Sequence, residues 1–148
     1  MKRQLIIIAL AGSASGVFAG DWTGFRGPLG NGLSDEVGLP VKLSAEKHVA
    51  WKTALPGKGL SSPLVVGDRV FVTASGGTRQ DRLQILCLNA ADGSVIWKRQ
   101  FWVMGSTMCH KKTSVAAPTP VTDGKLLFAI FSSNDLFCLD LDGNLKWL

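Results

Sequence analysis

Two stretches of the chain say nearly the same thing about fifty residues apart. "CLNAADGSVIW" (87–97) and "CLDLDGNLKW" (138–147) each run from a cysteine through a glycine turn to a tryptophan. The echo extends upstream, where "SSPLVVGDRVFVTAS" (61–75) and "TPVTDGKLLFAIFSS" (119–133) align Pro63 with Pro120, Gly67 with Gly124 and Phe71 with Phe128. In the first copy Val70, Val72 and Ala74 alternate with Phe71 and Thr73, the period of a strand with two distinct faces, and the Gly67-Asp68 pair supplies a hairpin turn. Asp92-Gly93 and Asp142-Gly143 turn the second hairpins, and Trp51, Trp97 and Trp147 mark the repeat at intervals of 46 and 50 residues. Two hairpins per period make four strands per period.

A four-stranded unit repeated every ~40–50 residues describes a β-propeller blade, so the predicted class is all-β, with four-stranded antiparallel blades and about two of them present. Helical repeats of similar period are excluded by the alternation and the Asp-Gly turns. The 17 glycines and 5 tryptophans, with no tyrosine, suit turn-rich β-structure. A blade with two apolar faces cannot bury both alone and must be held between neighbours. A wide, flat indole set against a glycine that exposes its bare peptide is a physically sensible pin between them.

The first residues, "MKRQLIIIALAGSASGVFAG", combine Lys2 and Arg3, an apolar run from Leu5 to Ala11 and small residues before Val17-Phe18-Ala19. They read as a signal peptide (1–19) cut after Ala19, which predicts a periplasmic or secreted protein. The run is too short to span a ~30 Å bilayer core, so no membrane span is expected after cleavage. Removing Lys2 and Arg3 from the 16 basic residues leaves 14 against 11 acidic, a net charge of +3 with no basic stripe for nucleic acid. Cys87, Cys109 and Cys138 form no CxxC pair. Cys87 and Cys138 hold the same place in successive repeats, which predicts buried thiols facing the same layer rather than a bridge. Cys109 beside His110 lacks the second ligand pair of a zinc site.

The pattern "CLNAADGSVIW" resembles the tryptophan-docking motif of the PQQ-like (pyrroloquinoline quinone repeat) propellers, usually Ala-x-Asp-x-x-x-Gly-x-x-x-Trp. Cys87, Asn89, Gly93 and Trp97 stand at its defining positions, and Cys138, Asp140, Gly143 and Trp147 at those of a copy one residue shorter. The segments 22–32, 49–65 and 110–124 are similar to the N-terminal region of exported bacterial members. The resemblance implies docking of Trp51 near Gly93 and of Trp97 near Gly143, with no motif following Trp147. It also implies a ring of seven or eight blades, of which residues 49–148 supply about two, so the expectation is an N-terminal fragment of a longer chain.

Outside the repeats, residues 20–48 read as a coil or closing segment over the propeller, in which Trp22, Phe25 and Arg26 could form an aromatic and cationic surface. "GKGLSS" (57–62) does not have phosphate-loop spacing. His110, with Lys111 and Lys112, lies in a long connection between strands, where loop-borne function concentrates. Arg26 and His110 are therefore the candidate surface site. No nucleophile, base and orienting group is recognisable, so no catalytic or metal-binding residue is assigned and no cofactor is expected in this stretch. Two functions follow from the resemblance. One is a non-catalytic protein- or ligand-binding scaffold whose partners are other exported or envelope proteins; the alternative is a quinoprotein oxidoreductase with PQQ on calcium at the centre of a complete ring. That enzyme class usually carries adjacent cysteines, and none occur here.

Overall fold

The computed structural model describes residues 20–44 and 46–148, with the backbone of Ile6–Ile8. The signal peptide and its cleavage point fall outside the described residues apart from that tripeptide. Ile6–Ile8 forms strand β1, antiparallel to β2 (Lys52–Ala54), with Ile6 opposite Ala54 and Ile8 opposite Lys52.

The rest of the described chain is two four-stranded antiparallel sheets, and no closed ring. The first blade is β3 (Leu64–Val66), β4 (Arg69–Gly76), β5 (Arg82–Asn89) and β6 (Val95–Trp102), paired in sequence order. The second is β7 (Val121–Thr122), β8 (Leu126–Ile130), β9 (Leu136–Asp140) and β10 (Leu145–Trp147), again in order. No helix occurs among the described residues, so none there is long and apolar enough to cross a membrane. Strand β6 runs on to Trp102, so Trp97 sits inside its strand rather than at its end.

Register turns the sequence echo into a structural one. Leu64, Phe71, Cys87 and Trp97 lie opposite one another in a single row across the first blade. Val121, Phe128, Cys138 and Trp147 form the same row across the second. A row of this kind brings cross-strand side chains into contact, and a small thiol between two rings leaves room for both. Phe71 and Trp97 have centroids 5.9 Å apart, and Phe128 and Trp147 6.1 Å, tilted at nearly the same angle. The cysteine of each repeat is thus the narrow member of an aromatic row.

Alternation along the strands then sorts side chains into layers. Val70, Val72, Ala74, Leu86 and Leu88 face one way and pack with Trp51 and Leu55. Phe71, Leu83, Ile85 and Cys87 face the other way, where they meet Leu127, Ala129, Phe137 and Leu139 of the second blade. Phe137 stacks on Phe101 at 4.3 Å and meets Phe131 edge-on at 5.8 Å, fixing the outer part of the interface. The connection from β6 to β7 contributes Val115 and Ala116, both fully buried between the blades. Its backbone is tied to both sides, since Leu60 N–H donates to Ala116 O (3.1 Å) and Ser132 N–H to Val115 O (2.9 Å).

Among the described residues from 20 to the start of β2 there is no regular strand, yet the segment is anchored. Trp22 exchanges two backbone hydrogen bonds with Val65 of β3, and Thr122 N–H of β7 donates to Thr23 O. One short stretch therefore touches the first strand of each blade.

Candidate functional site

Both glycine turns face a tryptophan from the preceding repeat. Gly93 and Gly143 have φ of 72° and 81°, a conformation open to glycine and strained for a side chain, and each leaves its peptide plane bare. A Cβ added at Gly93 would overlap Trp51 Cε3 and come within 2.5 Å of Thr53 Oγ1; one added at Gly143 would stand 2.8 Å from Trp97 Cδ2. The indole N–H groups donate to main-chain carbonyls of the same turns, Trp51 Nε1 to Ala90 O at 2.8 Å and Trp97 Nε1 to Leu141 O at 2.9 Å. A second clamp stands two residues along each strand, hence on the same face as the tryptophan. Thr53 Oγ1 donates to Gly93 O at 2.7 Å, and Arg99 Nε donates to Gly143 O at 2.6 Å. Trp147 has no turn against it and is 47% exposed.

The motif's acidic position shapes the turns themselves. Asn89 Oδ1 accepts from Ala91 N–H, whereas Asp140 accepts from Asp142 N–H and Asn144 N–H and pairs with Lys146 Nζ at 2.8 Å. Hydrogen bonds from Lys146 and Asn144 hold the Asp140 carboxyl well below the usual carboxylate range. Arg69, at the start of β4, reaches across to the second blade. Its Nη1 donates to Leu141 O (2.8 Å) and to Asp142 Oδ1 (2.7 Å), and the bond to Asp142 raises its already high pKa.

A second cluster gathers where the inner loops meet. Gly57 and Gly59 flank Lys58, whose backbone pairs with Ser75, and a Cβ on either glycine would overlap a β4 carbonyl, of Ser75 or Thr73. "GKG" is thus a close backbone approach. Lys58 Nζ donates to Lys111 O and Thr113 O of the interblade connection. Gln80 Oε1 accepts from Ser75 Oγ (2.9 Å) and Val115 N–H (3.1 Å), and its Nε2 donates to Cys109 Sγ at 3.5 Å. Asp135 is buried, accepting from Ser133 Oγ at 2.6 Å and Met104 N–H at 3.2 Å. Ser114 is fully buried and its Oγ has no hydrogen-bond partner among the described residues.

The two candidate surface residues are held separately. Arg26 (φ 64°) is exposed and donates from Nη2 to Asn31 O within its own loop. His110 is exposed, with Nδ1 accepting from Lys112 N–H. Neither is tied to the other. The three thiols are free, with Cys87 and Cys138 buried. Burial pushes the Cys87 thiol up to about 11, so it stays protonated. The two repeat cysteines point the same way but into different layers. Cys87 lies between the blades, while Cys138 lies on the far side of the second sheet from Phe137 and Leu139, because successive blades stack in the same orientation. No group of three or more His, Cys, Asp or Glu able to hold a metal occurs among the described residues.

Thr53, Arg99, Lys58, Gln80 and Asp135 carry the polar geometry, and no sequence motif marks them. Strand alternation is the signal that could have found Thr53 and Arg99, since a residue two along a strand from a docking tryptophan shares its face. The close glycines around Lys58 are the signal that could have pointed to its tight backbone contact.

Residues 33–148 match the family model described as outer membrane protein assembly factor BamB. No curated protein matches the chain. Among solved structures, BamB from Moraxella catarrhalis aligns with a TM-score of 0.52 at 20% sequence identity. The alignment covers 67% of this chain and 27% of that one, so this chain spans about a quarter of the neighbour's length. At that identity the likeness is one of fold.

Proposed function

The chain belongs to the family of the outer membrane protein assembly factor BamB, and from that footing we propose that it is part of an exported, non-catalytic propeller that binds other envelope proteins. The observation that carries this reading is the composition of the stretch leaving the first blade. Trp102, Met104 and Met108 are 64%, 70% and 92% exposed within seven residues of chain. Aromatic and methionine side chains are enriched at protein contacts, and Met in particular adapts its shape to varied partners. Arg82 lies over the Trp102 ring at 5.4 Å, holding the indole in place at the surface. The polar cluster nearby supports the same conclusion, because Lys58, Gln80 and Asp135 are bound to main-chain groups of adjoining loops. They shape a surface between adjoining loops.

The test uses the full-length protein in its own cells, with a photoreactive residue replacing Met108. Irradiation is expected to cross-link it to envelope proteins, and Trp102→Ala is expected to reduce the yield at least several-fold. Retention of one PQQ per chain with calcium-dependent oxidation of alcohols or sugars, and no cross-links, would replace the scaffold with a quinoprotein oxidoreductase.

A further inference from the structure

We infer that processing of the chain creates an interblade lock: the α-ammonium of Gly20, produced by cleavage after Ala19, is captured by Glu36 and fixes the strap that joins the two blades. The inference rests on the proposal that the chain is exported. Its geometric basis is a hydrogen bond already in place, from Gly20 N to Glu36 Oε1 at 2.8 Å, between residues sixteen apart in a coil. Glu36 is half-buried. Asp21 and Asp35 line the same surface hollow as Glu36 and Gly20, so the charged groups lining it are all carboxylates.

In the uncut chain Gly20 N is a neutral amide. Hydrolysis of the Ala19–Gly20 bond by an envelope signal peptidase consumes one water, leaves a carboxylate on Ala19 and gives Gly20 an amine that takes up a proton at neutral pH. The same 2.8 Å contact then joins two opposite charges, and charge-assisted bonds are roughly twice as strong as neutral ones.

The three residues after Gly20 give the contact a purpose. Asp21 Oδ1 accepts from Gly67 N–H at the turn between β3 and β4, Trp22 pairs with Val65, and Thr23 O accepts from Thr122 N–H of β7. Consecutive residues thus fasten the first strand of one blade to the first strand of the next. Glu36 holds the free end of this strap, and the coil from residue 28 to 37 forms the other side of the hollow. An end that would otherwise fray becomes anchored once the leader is gone.

The experiment takes the exported protein from the envelope fraction and begins with its N-terminal sequence, expected to start at Gly20. The α-amine is then titrated through the pH dependence of its acylation, and Trp22 and Thr122 amide exchange is followed. The amine is expected to titrate about one pH unit above its ordinary ~7.7–8.0, with the difference shrinking in ~1 M salt. Glu36→Gln keeps an acceptor but removes the charge. It is expected to return the amine to the ordinary range and to speed Trp22 and Thr122 exchange ~3–10-fold, whereas Glu46→Gln, outside the hollow, leaves both unchanged. A chain starting at Gly20 whose amine titrates ordinarily, with exchange indifferent to Glu36→Gln, overturns the lock and leaves export intact. A chain starting at Met1 overturns both.

Discussion

The two blades carry the same row of side chains, and only one of them buries it. Leu64, Phe71 and Cys87 of the first blade have no exposed surface, and Trp97 closes the row over Gly143. In the second blade Val121 and Trp147 stand 51% and 47% exposed beside a fully buried Cys138. The strands, turns and ring geometries match, so the difference comes from the neighbour and not from the repeat. A blade's fold is local, set by hairpins; its core is shared, set by whatever packs on its faces. The stability of such a stack divides into terms within repeats and terms between them.

The sharpest way to break the comparison is to fill the bare glycines. Gly93→Val is expected to destabilise by at least ~3 kcal/mol, since a β-branched residue at φ 72° is strained and its side chain would displace the Trp51 indole. Gly143→Val is expected to cost somewhat less, its Cβ meeting Trp97 at 2.8 Å rather than overlapping a ring atom. Urea denaturation ranks the two, and equal midpoints for both variants and the parent would show that the indoles do not need the glycine plane.

Removing the rings tests the burial contrast directly. Trp97→Ala is expected to cost ~3 kcal/mol, the low end for truncating a packed aromatic that is not wholly enclosed. Trp147→Ala, at the same row position but 47% exposed, is expected to cost under ~1 kcal/mol when measured on the 148 residues alone. Similar losses at both sites would mean that the row acts within its own sheet and owes little to the next turn.

The smallest effect distinguishes the turns. Asp140 has its folded-state pKa depressed by Lys146 and Asn144, so its contribution is full above the ordinary carboxylate pKa of ~3.9 and fades as the pH falls below it. Asn89 holds the equivalent place in the first blade and does not titrate. Asp140→Asn is therefore expected to lower stability modestly at pH 7, where the carboxylate contributes in full, and to flatten the loss between about pH 4 and pH 2, so that variant and parent converge in acid. An acid limb identical to the parent's would show that the Asp140 contacts persist in the unfolded chain.

Much of this architecture is legible in the sequence, for reasons that can be located. The turns at Gly67, Asp92-Gly93 and Asp142-Gly143 announce hairpins because few residues besides glycine accept their backbone angles. Alternation then gives the strands two faces, and the spacing of Trp51, Trp97 and Trp147 gives the period. Other features need the third dimension. The layer into which each cysteine faces depends on the common orientation of successive sheets, which no single repeat encodes. The burial of Val115 and Ala116 in a connection rich in Ser, Thr and Lys results from two blades closing around it. Arg26 and His110 stand out as isolated functional-looking side chains, but their contacts are confined to their own loops, while Lys58 and Gln80, less conspicuous in sequence, tie several segments together.

The stacking order has a consequence for assembly. One face of each unit presents an indole, and the opposite face of the next presents an open glycine turn with carbonyls at Leu141 and Gly143 waiting for Trp97 and Arg99. Two indole faces cannot satisfy each other, and neither can two glycine turns, so this contact has a head and a tail and is heterologous in the sense used for subunits. Head-to-tail contacts have only two ends: a ring, if the rotation per unit divides the circle, or an open filament if it does not. The rotation between neighbouring sheets therefore decides between closure and an open stack.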